Sequence, residues 1–211
     1  MCYSFESSVF AFLIAMTTVF FMYLRKTKLD KLLGPIVLTY GFIQFAEALM
    51  WYDQECGKIN KIATYFAYYI LVLQLLATGI GIYLTEKNPI GIFIGIIVLI
   101  YFYVTMPKMK CSKPYGNVPH MLWGFKYYRT GFIWPLILIF ILFLSKIKKI
   151  YKFIIFFWMS STYLYFYSKQ VDIKNLLKLY YDISNTTIGT KWCHFASLST
   201  PGLYFIQNLI Y

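Results

Sequence analysis

The positions of the positive charges constrain the fold of this chain more than any other feature. Its 20 lysine and arginine residues lie between long apolar runs, or within the first three residues of a run. A charged side chain near the middle of a bilayer costs about 2.5–3.5 kcal/mol on insertion scales. A chain that keeps its cations out of the middle of every apolar run is suited to lipid, so the sequence predicts a multi-pass α-helical membrane protein.

The composition agrees with a membrane location. Hydrophobic residues make up 60% and charged residues 13% of the 211 positions, whereas soluble domains have about 25% charged residues. The gaps between apolar runs are too short for a separate soluble domain, so we expect one bundle over residues 1–211. The net charge of +12 is explained by cations that flank membrane helices and contact headgroups, and no nucleic-acid partner is predicted.

Seven apolar runs are long enough to be spans, because a bilayer core needs about 17–25 residues of helix. The predicted spans are, approximately, residues 8–24, 32–52, 62–84, 90–106, 128–145, 150–168 and 194–211. The last run is interrupted by Pro201 and Gly202, so six spans is the alternative. The predicted fold class is an all-α integral membrane protein with a single bundle of seven, or alternatively six, transmembrane helices.

Two connecting segments and one glycine pair add detail. Residues 169–183 place apolar side chains at i, i+3, i+4 and i+7, which predicts an amphipathic helix in the membrane interface. Residues 115–125 contain two glycines and a proline and are expected to form a re-entrant or interfacial loop. Gly91 and Gly95 in the fourth span have the spacing that permits close helix contact.

The density of cations in short loops predicts the orientation. If crossings alternate, the loops after the first, third and fifth spans hold nine cations in very short segments, among them Lys28 and Lys148. Cations in short loops favour the cytoplasmic side, so we expect the N-terminus to lie outside or in a lumen. The N-x-[ST] sequon at Asn185 falls on that same outer side and is a candidate glycosylation site.

All the cysteines fall on the predicted outer side as well. They are Cys2, Cys56, Cys111 and Cys193. In an oxidising compartment the simplest interpretation is two disulfides, for which three pairings are possible. Free or lipidated thiols are one alternative, and a metal or haem site is another.

A metal site at these positions would use the histidines of the outer side together with one cysteine. The candidate ligands are His120, His194 and Cys193. Zinc sites usually show short C-x₂₋₄-C pairs, and the chain has none. No metal or other cofactor is therefore predicted.

One ionisable residue lies deep inside a predicted span. Glu47 is the only formally charged side chain more than three residues into any run. Tyr40, Gln44 and Trp51 share its stripe of the second span, because steps of four, three and four residues follow the helical turn. An ionisable residue in a membrane helix is a functional candidate. We therefore expect small-molecule or ion binding or transport in an outer-facing cavity around Glu47, with Gln74 as a further lining residue.

The alternative is a structural role for the same carboxyl. Glu47 would then be hydrogen-bonded to Gln74 or to serine and threonine on a neighbouring helix, in a structural or interaction protein of a viral or organelle membrane. The predicted partners are the lipid bilayer and, in this alternative, other membrane subunits or a second copy of the chain. An enzyme is less expected, because no nucleophile–base pair, Walker glycine loop, G-x-S-x-G elbow or H-E-x-x-H helix is present.

Three local patterns point to a family resemblance. They are Met1-Cys2-Tyr3-Ser4, Gln44-x-x-Glu47-x-x-x-Trp51 and Trp192-Cys193. Together they resemble an uncharacterised family of small multi-pass membrane proteins from large DNA viruses and protists. The resemblance implies a membrane location, in a host or virion membrane if the chain is viral, and it implies no activity.

Overall fold

Most of the chain is helical in a computed structural model, which describes residues 4–115, 120–125, 133–157, 160, 195–202 and 204–205. Three helices in these ranges are long and apolar enough to cross a membrane: α1 (Phe5–Arg25), α2 (Lys28–Tyr52) and α3 (Lys58–Glu86). A shorter apolar helix, α4 (Ile90–Val104), follows them. The described residues therefore belong to a membrane-embedded helical protein.

The starts of α1 and α2 are set by local sequence. Ser4 forms a capping box with Ser7, and Thr27 forms one with Asp30, which satisfies backbone N–H groups that have no partner inside the helix. Between the two helices, Lys26 adopts a left-handed conformation with φ of 57°. Because so short a turn reverses the chain, α1 and α2 pack side by side as antiparallel neighbours.

Small residues allow the helices to approach closely. A Cβ atom added at Gly81 would collide with the carbonyl of Leu32 on α2, and one added at Gly79 would collide with the backbone of Gly91 on α4. A Cβ atom at Gly95 would lie 2.7 Å from the Cα of Leu76. The glycine pair of the fourth span therefore forms a tight contact with α3, as its spacing predicts.

A β-hairpin takes the place of the loop expected at residues 115–125. Strand β1 (Lys113–Tyr115) pairs antiparallel with β2 (His120–Leu122). Met121, Trp123 and Phe125 are all buried, so alternate side chains point inward with the period of an extended strand. The all-α expectation is therefore wrong for this segment. Residues 106–115 and 120–125 are called the hairpin segment below.

The three later predicted spans are described only in part. Helix α5 (Ile133–Ile139) continues into a π-helical turn (Phe140–Leu144), and residues 149–157 and 195–202 are helical. None of these described pieces reaches the length of a membrane span, so the number of seven spans stays a prediction. The predicted amphipathic helix at 169–183 lies outside the described residues.

Candidate functional site

Glu47 is completely buried near the C-terminal end of α2. Its exposed fraction is 0%. The Nε1–H of Trp123 donates to Glu47 Oε1 at 3.1 Å, and the side-chain amide of Gln44 donates to Oε2 at 3.0 Å. Each carboxyl oxygen thus accepts a hydrogen bond from a protein side chain, which offsets part of the cost of removing the group from water.

The two donors reach Glu47 by different routes. Gln44 lies three residues earlier on α2, so the helical turn brings it beside the carboxyl. Trp123 comes from the hairpin segment, where its ring stacks on Phe125 with centroids 5.2 Å apart. Phe125 in turn makes an edge contact with Tyr68 of α3 at 5.4 Å. The indole is therefore held by aromatic packing as well as by its hydrogen bond.

The remaining predicted site residues, Tyr40, Trp51 and Gln74, are buried as well. Tyr40 has an exposed fraction of 1% and Gln74 of 0%. Within the described residues, the side-chain amide of Gln74 and the indole N–H of Trp51 have no hydrogen-bond partner. Gln74 is therefore not bonded to Glu47, although that bond was one of the sequence-based alternatives.

The register of α2 against α3 explains this separation. Gly81 lies against Leu32, and Asn60 donates to the carbonyl of Met50, so the two helices run antiparallel. This register places Gln74 level with about residue 38 of α2. At 1.5 Å per residue, Gln74 is about 13 Å from Glu47 along the helix axis. Gln74 therefore lies away from the carboxyl of Glu47.

Asn60, which the sequence analysis did not single out, connects three segments next to Glu47. Its side-chain amide donates to the carbonyls of Asp53 and Ser112, both at 2.9 Å. Its Oδ1 accepts from the backbone N–H of Ser112 at 3.0 Å. Thr64 and Ser112 share a further hydrogen bond of 2.8 Å between their hydroxyls. These contacts join the end of α2, the start of α3 and the hairpin segment.

Asp53 completes this junction by capping α3. Its carboxylate accepts from the backbone N–H groups of Asn60 at 3.0 Å and Gly57 at 2.9 Å. These backbone hydrogen bonds hold the pKa of Asp53 below its ordinary value, because they favour the charged form. An acidic group at the N-terminus of a helix also interacts favourably with the helix dipole.

A disulfide lies beside the Asn60 junction. Cys56 and Cys111 are bonded, with their Cα atoms 5.5 Å apart. One of the disulfides that the sequence allows is therefore present. Cys2, Cys193, His194 and the sequon residue Asn185 lie outside the described residues. Among the described residues no group of three or more His, Cys, Asp or Glu side chains could hold a metal ion.

A second polar junction lies at the opposite end of the bundle. The guanidinium of Arg25 donates to both carboxylate oxygens of Asp30, at 2.8 and 2.6 Å, and to the carbonyl of Tyr204 at 2.9 Å. It also lies 3.8 Å from the centroid of the Tyr204 ring. Thr200 donates to the hydroxyl of Thr18 at 3.2 Å. Thr200 and Tyr204 are thereby attached to α1.

The comparisons with known proteins add no identification. No protein-family model, no curated protein and no solved structure matches the chain. The class that the described residues define is a mostly helical, membrane-embedded protein with three long apolar helices. The resemblance to the viral and protist membrane family stays a prediction.

Proposed function

We propose that this protein is a non-catalytic structural or interaction component of a membrane. The burial and bonding of Glu47 is the observation that supports this proposal best. A residue that binds or carries a ligand must be reached by it, whereas Glu47 has no exposed surface and both its oxygens accept hydrogen bonds from side chains. In this proposal the carboxyl connects α2 to the hairpin segment.

Three independent ties hold the hairpin segment in a defined position on the helices. They are the Glu47–Trp123 hydrogen bond, the Asn60–Ser112 pair and the Cys56–Cys111 disulfide. A surface fixed before contact loses less conformational entropy when a partner binds. The hairpin segment is therefore the proposed contact surface for other membrane subunits or a second copy of the chain.

Binding or transport of a small molecule or ion is the second candidate, and Gln74 is the observation that favours it. Its buried amide has no hydrogen-bond partner among the described residues. An unsatisfied buried polar group lowers stability by about 1–3 kcal/mol. A residue retained at such a cost in stability is typical of a functional site. Such a site would be centred on Gln74 and not on Glu47.

The thermal stability of two Glu47 variants in detergent tests the structural role of the carboxyl. If the carboxyl is structural, Glu47→Gln should be mild, because the amide retains the shape and can still accept a hydrogen bond from Trp123. Glu47→Leu should cost about 1–3 kcal/mol, because the indole N–H then loses its acceptor. A leucine variant as stable as the wild type would contradict the structural role of the carboxyl.

Cross-linking in membranes tests the interaction part of the proposal. Lys108, Lys110 and Lys113 are exposed on the hairpin segment, so an amine-reactive cross-linker should join it to a subunit or a second copy. The matched control replaces all three with arginine, which retains the charge and removes the reactive amine. Absence of any cross-linked species that depends on these lysines would count against the proposed contact surface.

A further inference from the structure

An apolar groove lies between α1 and the side chains of Pro201, Tyr204 and Phe205. Its volume is about 520 Å³, within the range of about 300–1,000 Å³ that is typical of ligand pockets. One wall is a stripe of α1 that runs from Phe10 to Phe21, and the other wall is formed by Pro201, Tyr204 and Phe205. The hydrogen bond between Thr200 and Thr18 joins the two walls.

The groove faces outward from the bundle. Of the apolar window of α1, 28% is buried, compared with 72% for α2. Phe10 and Leu13 in the groove wall have exposed fractions of 61% and 54%. Because α1 is one of the helices fit to cross a membrane, these exposed apolar side chains and the groove between them are open to the hydrocarbon of a bilayer.

The length of the α1 wall of the groove matches one leaflet. Phe10 and Phe21 are 11 residues apart, which is about 16 Å of helix at 1.5 Å per residue. A hydrocarbon core of about 30 Å gives each leaflet a depth of about 15 Å. One extended acyl chain can therefore lie along the α1 wall from its headgroup to the middle of the bilayer.

Exposed cationic side chains follow α1 in the chain, beyond the end of the groove at Phe21. The stripe of α1 continues one turn beyond Phe21 to Arg25. The guanidinium of Arg25 donates to the carbonyl of Tyr204 and lies over the Tyr204 ring. Exposed lysines follow on the α1–α2 turn, at Lys26, Lys28 and Lys31. The acidic group of this turn, Asp30, is nearly buried and already bonded to Arg25, so the exposed ammonium groups give the turn a positive surface.

We propose that the groove binds an anionic phospholipid of the surrounding bilayer, with one acyl chain between α1 and the side chains of Pro201, Tyr204 and Phe205. Its phosphate headgroup contacts Lys26 and Lys28. The apolar walls, the length of the α1 wall and the cationic side chains beyond its end are together complementary to this ligand. The predicted orientation places the α1–α2 turn in the cytoplasm, where anionic lipids are enriched. The inference goes beyond the proposed function and does not depend on Glu47.

Native mass spectrometry of the full chain tests the proposal. Protein purified in detergent is supplied with equal amounts of phosphatidylglycerol and phosphatidylcholine, and the lipids retained on the protein are counted. The wild type should retain one phosphatidylglycerol with at least a fivefold preference. Equal retention of the two lipids would overturn the proposal, and so would a groove occupied by a second copy of the chain in place of lipid.

Two variants address the two ends of the site. The double variant Lys26→Gln and Lys28→Gln should lose the preference for the anionic lipid. Leu13→Trp fills the groove and should lower retention of both lipids at least fivefold. Both changes are at exposed positions, so the fold should be retained, and the melting temperature in detergent verifies this. Unchanged lipid retention in both variants would overturn the proposal.

The controls match the variants in chemistry and exposure. Lys58→Gln with Lys61→Gln removes two exposed lysines at the opposite end of the bundle and should leave the lipid preference unchanged. Ile97→Trp adds similar bulk at an exposed position of α4, which does not line the groove. If these controls lowered retention as much as the groove variants, the lipid would be bound without a defined site, and the proposal would be wrong.

Discussion

The indole N–H of Trp123 donates to a carboxyl oxygen of Glu47 at 3.1 Å, although the two residues are 76 positions apart in the chain. The bond joins the hairpin segment to the interior of a long apolar helix. It also gives the most deeply placed charge of the sequence a partner that can compensate its burial. A carboxyl held in this way contributes to the position of the hairpin.

Trp123→Phe should destabilise the protein by about 1–3 kcal/mol, because a buried carboxyl oxygen then loses its donor. The phenyl ring retains most of the packing on Phe125, so the loss reports chiefly on the hydrogen bond. Chemical or thermal unfolding in detergent measures it. The matched control is Trp51→Phe, since the indole N–H of Trp51 has no partner among the described residues, and it should cost less.

A double-mutant cycle between Trp123→Phe and Glu47→Leu isolates the contact itself, because each single change removes one partner of the hydrogen bond. Residues in direct contact show coupling energies of about 0.5–3 kcal/mol. Additive effects of the two changes would mean that the bond contributes little to stability.

Removal of the disulfide should lower stability at the end of the bundle where α2 ends and α3 begins. Cys56 and Cys111 are separated by 55 residues, and a disulfide that closes a loop of this size contributes about 2–4 kcal/mol. Cys56→Ser combined with Cys111→Ser should therefore lower the melting temperature, as should reductant added to the wild type. The double variant should show no further change with reductant. If reductant did not change the melting temperature of the wild type, the contribution assigned to this disulfide would be contradicted.

Asp53 should make stability depend on pH in the acidic range. Its pKa is lowered in the folded protein by the backbone N–H groups of Asn60 and Gly57. A lowered folded-state pKa gives stability that is present above the unfolded value, about 3.9. That stability is lost as the pH falls through the folded value. The melting temperature of Asp53→Asn should therefore be below that of the wild type at pH 7, and the difference should shrink toward pH 3. Glu55→Gln, at an exposed neighbour, is the control.

Gln74→Leu should raise the melting temperature, because it removes a buried amide that has no partner among the described residues. The matched change Gln44→Leu should lower it, because the amide of Gln44 donates to Glu47 at 3.0 Å. Thermal unfolding of the two variants side by side gives the comparison. A destabilised Gln74→Leu variant would show that the amide is satisfied in the membrane, and it would remove the main support for a binding or transport role.

The long helices could be predicted because lipid imposes a simple rule on sequence. Apolar runs of membrane length end where cations begin, so the first four predicted spans overlap α1 to α4 and differ from them by a few residues at the ends. The hairpin was missed because a strand of three residues leaves almost no periodic signal. The alternation of Met121, Trp123 and Phe125 was the available indication, and the glycines and proline around it favoured a loop.

Two residues of the candidate site, Glu47 and Gln44, could be predicted from the sequence, whereas Trp123 and Asn60 could not. Glu47 and Gln44 stand out because a charge and an amide are rare so deep in an apolar run. Trp123 does not, because a partner 76 residues away depends on how the hairpin folds back. Asn60 lies in the first turn of α3, where polar residues are usually exposed, so nothing local indicated that it would be buried among Asp53 and Ser112.

Close approach of α3 and α4 is the last feature with a direct test. A Cβ atom at Gly79 would collide with the backbone of Gly91, and backbone atoms cannot move aside as a flexible side chain can. Gly79→Ala should therefore separate the helices and cost about 1–3 kcal/mol, as overpacking does. This cost should outweigh the gain in helix propensity of about 1 kcal/mol.

Gly34→Ala is the matched control for Gly79→Ala, because a Cβ atom at Gly34 meets nothing within 4 Å. It should be neutral or slightly stabilising, since only the propensity term remains. Melting temperatures in the same detergent compare the two variants directly. If Gly79→Ala were as stable as Gly34→Ala, α3 and α4 would not be in backbone contact, and the glycines of α4 would have no packing role.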